Sequence, residues 1–317
     1  MPTLVLLDDY QGVALQFAPW HELEGWDIRA LREPHPDEDA LVAALAEATA
    51  VVAMRERTPF PRRVLERLPR LGLLITTGAA NAAIDVAAAV ELGITVCGTR
   101  ASASAAPELS WALLMSAVRD IPGQERALRD GRWQTGIGGE LSGRTLGIVG
   151  LGKIGIRMSG YARAFGMEVL AWSENLTPER AADAGAEYVS KDELFARADI
   201  ATLHLRLSDR TRGIIGRREL GALGPDGLLV NTARAGLVDT AALVTALESG
   251  VLGGAALDVF DEEPLPADHP LLAAPRTLLT PHIGYVTREQ YAVFYRDALE
   301  DIRAWAAGSP LRVVSAG

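Results

Sequence analysis

Short apolar runs alternate with longer amphipathic or alanine-rich stretches along most of this 317-residue chain. The runs, such as residues 3–8 (TLVLLD) and 145–150 (TLGIVG), are rich in Val, Ile and Leu and have the length of buried strands. The stretches between them, such as residues 37–48 (DEDALVAALAEA), have helical spacing. Because this alternation is typical of strand–helix–strand units, it predicts an α/β fold in which helices cover both faces of parallel sheets.

The predicted elements form two series. In the first, strands are predicted at residues 3–8, 48–54, 71–78 and 93–99, with helices at 37–48 and 84–93. In the second, strands are predicted at residues 145–150, 168–173, 186–190, 199–205, 227–233, 255–260 and 277–280. A small-residue stretch that begins near Gly98 is suited to a linker, and it is followed by a predicted helix at 108–121. A last helix is predicted over residues 288–308, long enough to return to the first domain.

Composition and charge narrow the class of protein. With 49% hydrophobic and 23% charged residues, the chain has the composition of a globular protein. The formal net charge of −10 argues against nucleic acid as the main partner, because binding phosphates needs clustered Lys and Arg. A single cysteine, Cys97, excludes an intrachain disulfide and a cysteine-based metal cluster. With no apparent signal peptide or membrane-spanning stretch, we expect a cytoplasmic protein without a bound metal or a membrane partner.

Three glycines, Gly150, Gly152 and Gly155, have the spacing G-x-G-x-x-G between a predicted strand and a predicted helix. In that context the first glycine allows a tight turn, the second lets a pyrophosphate approach the backbone, and the third lets helix and strand pack closely. The phosphates would lie at the helix N-terminus, where N–H groups and the helix dipole favour negative charge. We therefore expect a dinucleotide site that includes Lys153 and Ile154. The alternative is an ordinary strand–helix turn without a ligand.

The residue that selects between NAD and NADP is expected at the end of the next predicted strand. Dinucleotide sites usually carry an acidic residue there, about 20 positions after the glycines, which binds the ribose hydroxyls. This chain has Ser173 at that position, followed by Glu174. The serine weakens the preference for NAD, whereas Glu174 would repel a 2′-phosphate if it faced the site. We expect NAD as the cofactor, with NADP as the alternative.

Three polar residues that follow separate predicted strands suit the reduction of a carbonyl group: Arg234, Glu263 and His282. Because ligands bind beyond the carboxyl ends of strands in open α/β sheets, we expect the three side chains to converge. A histidine can donate or accept the proton, and a carboxylate beside it fixes its tautomer. An arginine suits a substrate carboxylate. The alternatives are that Arg234 is a surface arginine, Glu263 a solvated loop charge and His282 a structural histidine. A fourth residue, His204, is expected to be packed at a strand end.

The chain resembles the D-isomer-specific 2-hydroxyacid dehydrogenases over nearly its whole length. The segments that carry the resemblance are GRTLGIVGLGKIG (143–155), LLVNTARAGLVD (228–239), ALDVFDEEPLP (256–266) and LLTPHIGYVT (278–287). The resemblance implies two doubly wound Rossmann-like domains with parallel sheets, of which the NAD(P)-binding domain at residues 100–287 is inserted into a substrate domain made of residues 1–99 and 288–317. It also implies a homodimer formed through the cofactor domain.

The resemblance also implies roles for individual residues of the second series. Arg234, Glu263 and His282 match the family's catalytic residues, and Asp258 matches the aspartate that contacts the nicotinamide amide. Tyr285 is expected to shape the substrate pocket, which Arg234 would also line. The further cofactor-binding residues are expected to be His204, Arg206, Thr232 and Ala233.

In the first series, the segment TTGAANAAID (76–85) resembles the family's substrate loop. Backbone N–H groups around Gly78 and Ala79 would then help to bind the substrate carboxylate, and Arg55 matches a position that faces the cleft. Two departures from the family pattern bear on the cofactor, because Ser173 replaces the ribose aspartate and Arg206 stands where proline is usual. An arginine near the adenosine end can contact a phosphate, which keeps NADP as an alternative.

The sequence therefore predicts an NAD(P)-dependent oxidoreductase that interconverts a 2-oxo acid and a D-2-hydroxy acid. His282 would exchange the proton, Glu263 would support it, and Arg234 would orient the substrate carboxylate. One alternative is a regulatory protein that senses a dinucleotide on the same scaffold, since such proteins can retain the three residues. Another is a structural α/β protein without activity.

Overall fold

The computed structural model describes residues 1–315, which form two compact units with one parallel sheet each. The first unit contains Met1–Ser102 and the described residues from Val286 onward, and the second is Ala103–Tyr285. This architecture confirms the predicted α/β class. The roles predicted for residues 1–99 with 288–317 and for residues 100–287 stay predictions, and residues 316–317 lie outside the described residues.

The first sheet has five parallel strands in the order β2-β1-β3-β4-β5. The strands β1, β3 and β4 are apolar and fully buried, as expected of strands that helices cover on both faces. The edge strand β2 was not predicted, because its half-exposed sequence DIRA contains no apolar run. The elements are β1 (Thr3–Leu6), β2 (Asp27–Ala30), α1 (Glu38–Leu45), β3 (Ala50–Ala53), α2 (Arg62–Leu65), β4 (Leu73–Thr76), α3 (Val86–Glu91) and β5 (Thr95–Gly98).

The second sheet has seven parallel strands in the order β12-β11-β10-β9-β6-β7-β8. All seven were predicted, although most of them are shorter than the apolar runs suggested. The strand order reverses between β6 and β9, and in open α/β sheets ligands bind at such a switch point. The strands are β6 (Thr145–Val149), β7 (Glu168–Trp172), β8 (Glu187–Tyr188), β9 (Ile200–Leu203), β10 (Leu228–Asn231), β11 (Gly254–Leu257) and β12 (Thr277–Leu279).

Helices surround the second sheet, and a last helix belongs to the first unit. The helices of the second unit are α4 (Ala105–Val118), α5 (Ile121–Arg129), α6 (Lys153–Ala164), α7 (Pro178–Asp183), α8 (Lys191–Arg197), α9 (Arg217–Leu223) and α10 (Thr240–Glu248). The last helix, α11, spans Arg288–Ala306 and begins where the Thr287 side chain accepts a hydrogen bond from the Gln290 N–H. In the described part of the chain, no helix combines the length and apolarity needed to cross a membrane.

Two buried carboxylates of α11 are held by arginines of the first unit. Asp297 accepts hydrogen bonds from the backbone and side chain of Arg100, and the Nε of Arg312 lies 3.0 Å from Oδ1 of Asp301. Burial raises the pKa of Asp301 to about 7, and the ion pair with Arg312 opposes this rise. Because the backbone around Val313 also pairs with Cys97 of β5, Arg312 joins the C-terminal segment to both the sheet and α11.

We expect the destabilisation of the protein by Arg312→Met to be about 1 kcal/mol larger at pH 8 than at pH 5.5, because above pH 7 the ionised, buried Asp301 loses its partner. Arg312 lowers the pKa of Asp301, so its contribution is present above that pKa, near 7, and fades as the pH falls and Asp301 becomes protonated. Urea unfolding at pH 8 and pH 5.5 measures both values. An equal loss of unfolding free energy at the two pH values would contradict this assignment. The control is Arg29→Met, which removes an exposed ion pair with Asp27.

Candidate active site

The three glycines after β6 have the distinct environments that a dinucleotide turn requires. Gly150 has φ +104°, and a Cβ there would lie 2.8 Å from the carbonyl group of His204. At Gly155 a Cβ would lie 2.3 Å from the Gly150 carbonyl oxygen, so this glycine allows α6 to pack against the turn. Gly152 is the N-cap of α6, and a Cβ there would meet no atom within 4 Å. Steric need therefore explains two glycines, whereas Gly152 leaves space beside the helix N-terminus that fits the pyrophosphate of a dinucleotide.

The predicted cofactor-binding residues nearest in sequence to the glycine turn lie on the first turn of α6 and at the end of β7. Lys153 is exposed and Ile154 is half-buried in that turn. Ser173 is half-buried directly after β7, and Glu174 beside it is exposed. Because β7 is the neighbour of β6, these residues and the glycine turn lie at the carboxyl edge of adjacent strands.

Across the switch point, the residues after β9 border the glycine turn. The backbone N–H of His204 donates to the Val149 carbonyl group at 2.8 Å, and its Nε2 lies 2.9 Å from Oγ1 of Thr202. Burial lowers the pKa of His204 to about 3, so the imidazole is neutral at pH 7. This environment agrees with a packed residue at a strand end. Arg206 is exposed two residues further on, and a contact of either residue with the cofactor stays a prediction.

The turn after β10 is shaped by the side chain of Asn231. Its Oδ1 accepts the N–H of Ala233 and its Nδ2 donates to the carbonyl group of Arg234, both at 3.0 Å. The hydroxyl of Thr232 lies 2.5 Å from that of Ser110 on α4, and the guanidinium of Arg234 donates to the Ala233 carbonyl oxygen at 2.7 Å. The turn is therefore fixed by its own side chains, and the half-buried Arg234 is presented from it.

His282 and Glu263 form a direct pair. Nδ1 of His282 lies 2.6 Å from Oε2 of Glu263, and the two side chains are 20% and 29% exposed. The other carboxylate oxygen of Glu263 accepts the N–H of Phe260 at 2.9 Å, which fixes the carboxylate. Tyr285 packs edge-to-face against the imidazole with ring centroids 5.7 Å apart. With Nδ1 directed at the carboxylate, Nε2 is the ring nitrogen that can exchange a proton with a ligand.

Arg234 reaches the same edge of the sheet as this pair. The strands β10, β11 and β12 are consecutive neighbours, and the three residues follow their carboxyl ends. The structure thus brings His282 and Glu263 into contact and places Arg234 at the end of a neighbouring strand of the same unit.

Asp258, at the end of β11, holds the loop that carries His282. Its side chain is fully buried, and Oδ1 accepts the Thr280 hydroxyl at 2.6 Å and the Ile283 N–H at 2.8 Å. Oδ2 accepts the Gly284 N–H at 2.8 Å. Burial raises the pKa of Asp258, and the hydrogen bonds and the nearby His282 oppose that rise. Sequence reasoning missed this role, because bonds from a side chain to a distant backbone leave no pattern in the sequence. A contact with the nicotinamide amide stays a prediction.

In the first unit, the predicted substrate loop differs in detail from expectation. The N–H of Gly78 donates to the Thr99 hydroxyl at 2.7 Å, so it is engaged within the protein. Ala79 and Ala80 are exposed, and their N–H groups donate no hydrogen bond to residues 1–315. Of the two predicted residues, the N–H of Gly78 is therefore engaged and that of Ala79 is not, and a contact of these amides with a substrate carboxylate stays a prediction. The guanidinium of Arg55 lies over Gly78, the residue before Ala79.

Side chains that could bind a metal ion do not cluster in the described part of the chain. Among residues 1–315, no group of three or more His, Cys, Asp or Glu side chains is placed to bind a metal ion.

Comparison with known proteins identifies the family to which the chain is similar. Residues 111–284 match the family model described as D-isomer specific 2-hydroxyacid dehydrogenase, NAD binding domain. The chain is 37% identical to the glyoxylate reductase of Aeropyrum pernix over 299 residues, which are 91% of this chain and 88% of that protein. It is 38% identical to the D-3-phosphoglycerate dehydrogenase of Mycobacterium tuberculosis over 276 residues, and it spans about half the length of that relative (52%).

Among solved structures, the chain is similar to a phosphoglycerate oxidoreductase from Vibrio cholerae. The two share 39% sequence identity and superpose with a TM-score of 0.93. The match covers 98% of this chain and all of the other (100%). The whole two-unit fold is therefore shared with that protein.

The glycine turn yields a paired prediction. Gly152→Ala should fold with only the small loss of stability expected of alanine at an N-cap, because its Cβ meets open space, yet it should weaken NADH binding about tenfold or more by crowding the pyrophosphate. Gly155→Ala should instead lower the melting temperature, because its Cβ would meet the Gly150 carbonyl oxygen. Fluorescence titration with NADH and thermal unfolding measure the two effects. Unchanged NADH affinity in Gly152→Ala would place the dinucleotide elsewhere.

Proposed function

The chain belongs to the D-isomer-specific 2-hydroxyacid dehydrogenases, and from this premise we propose that His282, Glu263 and Arg234 are the residues that interconvert a 2-oxo acid and its D-2-hydroxy acid. The protein is an NAD-dependent oxidoreductase that acts on the CH–OH group, as its family and the names of its relatives indicate. Those names describe reductases and dehydrogenases, so the alternative of a dinucleotide-sensing regulatory protein is not favoured.

The observation that carries the proposal is the 2.6 Å contact between His282 and Glu263. NAD, when bound, supplies or accepts the hydride at substrate C2. His282 transfers the proton through Nε2, donating it to the substrate oxygen in reduction and taking it back in oxidation. Glu263 keeps the Nδ1 proton of His282 in place and stabilises the imidazolium form. Each group therefore has one task in moving the proton.

The substrate carboxylate needs cationic and N–H donors. Arg234 is assigned to it as a cationic donor, and Arg55 with the amides of Ala79 and Ala80 is assigned to it on the evidence of the first unit alone. Tyr285, beside His282, would limit the size of the group on C2. Because the relatives are named for glyoxylate and 3-phosphoglycerate, small 2-oxo acids of those two types are the first substrates to test.

The cofactor-binding roles follow the glycine turn. We assign the pyrophosphate to Gly152 and the start of α6, with Lys153 and Ile154, and the ribose to Ser173. Glu174 is exposed directly after Ser173, and its charge would disfavour the 2′-phosphate of NADP. Arg206 is the one predicted contact that favours NADP, so the preference is best measured with both cofactors. The remaining assignments are His204, Thr232, Ala233 and Asp258.

The domain roles, the oligomeric state and the compartment complete the proposal. We assign cofactor binding to the second unit and substrate binding to the first. A homodimer formed through the second unit is supported by Trp133 and Ile137, which are 76% and about 100% exposed on the segment after α5. The same unit has an open groove of about 230 Å³ lined by Met115, Val118 and Phe165 among others. A fully buried Cys97, as the single cysteine, suits a cytoplasmic protein.

The test of the reaction is a panel of 2-oxo acids, including glyoxylate and 3-phosphohydroxypyruvate, run with NADH and NADPH in parallel. We expect turnover with NADH, and we expect His282→Asn to lower kcat by about 100-fold or more while NADH affinity is retained. His21→Asn, which alters an exposed histidine of the first unit, is the matched control and should be active. Unchanged turnover in His282→Asn would remove that residue from the reaction, and NADH binding without any turnover would favour the sensing protein.

The proposed homodimer is tested by measuring the molar mass of the protein in solution. We expect a dimer by light scattering coupled to size exclusion, and a monomer for the double variant Trp133→Ser, Ile137→Ser, because burial of these two side chains contributes a large share of the apolar contact area. Leu272→Ser, which alters another exposed apolar side chain of the same unit, should stay a dimer. A monomeric wild-type protein, or a dimeric double variant, would contradict this surface.

A further inference from the structure

Asn81 joins the two strand ends of the first unit that carry the predicted substrate groups. Its Nδ2 donates to the Arg55 carbonyl oxygen at 2.5 Å and to the Thr76 hydroxyl at 3.0 Å. Its Oδ1 accepts the N–H of Ala83 at 2.8 Å. The residue is only 8% exposed. Both donors and the acceptor of the amide are therefore used within the protein, so Asn81 is placed to support other residues and not to bind a ligand itself.

The partner of Asn81, Arg55, has a backbone conformation that needs support. Arg55 follows β3 with φ +54°, in the left-handed region that non-glycine residues rarely adopt. Its N–H donates to the Thr77 hydroxyl at 2.9 Å, and its carbonyl group accepts the Asn81 amide. The backbone of Arg55 is thus held from both sides, by residues at the end of β4 and in the loop after it.

This conformation directs the guanidinium of Arg55 along the loop. Its Nη1 donates to the Thr77 carbonyl oxygen at 3.2 Å. The same nitrogen packs directly on Gly78, because a Cβ at that glycine would lie only 1.9 Å from it. The next two residues are Ala79 and Ala80, whose N–H groups make no bond with the described residues. The guanidinium therefore lies over Gly78, and the two residues that follow Gly78 carry the N–H groups without a partner among the described residues, in the loop after β4.

We propose that Asn81 is a positioning residue for the substrate carboxylate: it holds Arg55 in the left-handed conformation and fixes the Ala79–Ala80 loop, so that the guanidinium and the two amides bind the same anion. The proposal rests on the proposed function, because it takes the anion to be the carboxylate of a 2-oxo acid. Removing the Asn81 amide frees the Arg55 carbonyl group, and Arg55 can then relax to an ordinary backbone conformation that turns its side chain away.

The test uses two neutral variants of the full-length enzyme, Asn81→Ala and Asn81→Ser, so that no added charge repels the substrate. We expect each to raise KM for the 2-oxo acid about tenfold, as for the loss of one well-placed interaction, with kcat changed by less than about threefold. NADH affinity and the pH profile of kcat should be unchanged, since His282 and Glu263 are untouched. Equal losses in kcat and kcat/KM, or an unchanged KM in a folded variant, would overturn the proposal.

A double-mutant cycle with Arg55→Met separates positioning from a general structural effect. If Asn81 acts through Arg55, adding Asn81→Ala to Arg55→Met should change KM by less than about twofold further. The same tenfold factor in both backgrounds would overturn the proposal. Thr49→Ala is the matched control, because it removes one hydrogen bond, to the Thr3 N–H, at the opposite end of β3 and should leave both kinetic constants unchanged.

Binding of oxalate to the NADH-saturated protein, measured by calorimetry, makes the outcome independent of turnover. We expect the oxalate affinity to fall about tenfold in the Asn81 variants, in parallel with KM. If wild-type protein binds oxalate but reduces no 2-oxo acid, the proposed function fails while the role of Asn81 is still decided by this affinity. Unchanged oxalate affinity in Asn81→Ala and Asn81→Ser would overturn the role of Asn81 even in an active enzyme.

Discussion

The buried carboxylate of Asp258 is the constraint on which the geometry of the His282–Glu263 pair depends. It binds three donors of the loop between Thr280 and Gly284, and His282 lies in the middle of that loop with φ +52°. A left-handed conformation at a non-glycine residue costs roughly 1–2 kcal/mol, and the hydrogen bonds to Asp258 offset it. The burial that raises the pKa of Asp258 is tolerated because these donors, together with the nearby His282, compensate the charge. The imidazole is thereby directed at Glu263.

Both units use the same structural principle at the carboxyl ends of their strands. In each, a polar side chain next to a strand end binds backbone groups and so sets the shape of a loop: Asp258 and Asn231 in the second unit, and Asn81 in the first. The groups that would meet a ligand, such as Arg234 and Arg55, are then presented from backbone that other residues hold in place. Because parallel strands end at one edge, these supported loops collect there.

The sequence was sufficient for the fold class and for the position of the candidate residues after the ends of strands. Apolar runs located eleven of the strands, and the glycine spacing predicted a turn whose three positions have the expected environments. It failed for β2, whose exposed edge has no apolar run. The sequence also did not predict three sets of hydrogen bonds: those of Gly78 with Thr99, of Asp258 with the loop that carries His282, and of Asn81 with its neighbours. Each of these is a hydrogen bond that joins distant positions, which neither periodicity nor motif spacing records.

The most direct test of this account is the proton on Nδ1 of His282, observed by nuclear magnetic resonance in protein labelled with ¹⁵N-histidine. A short bond to Glu263 that Asp258 holds in place predicts a downfield, slowly exchanging ring N–H resonance in the wild-type protein. This resonance should be absent in Glu263→Gln and lost or shifted upfield in folded Asp258→Asn. A wild-type spectrum without such a resonance, or one that Asp258→Asn leaves unchanged, would contradict the claim that the buried aspartate sets the geometry of the pair.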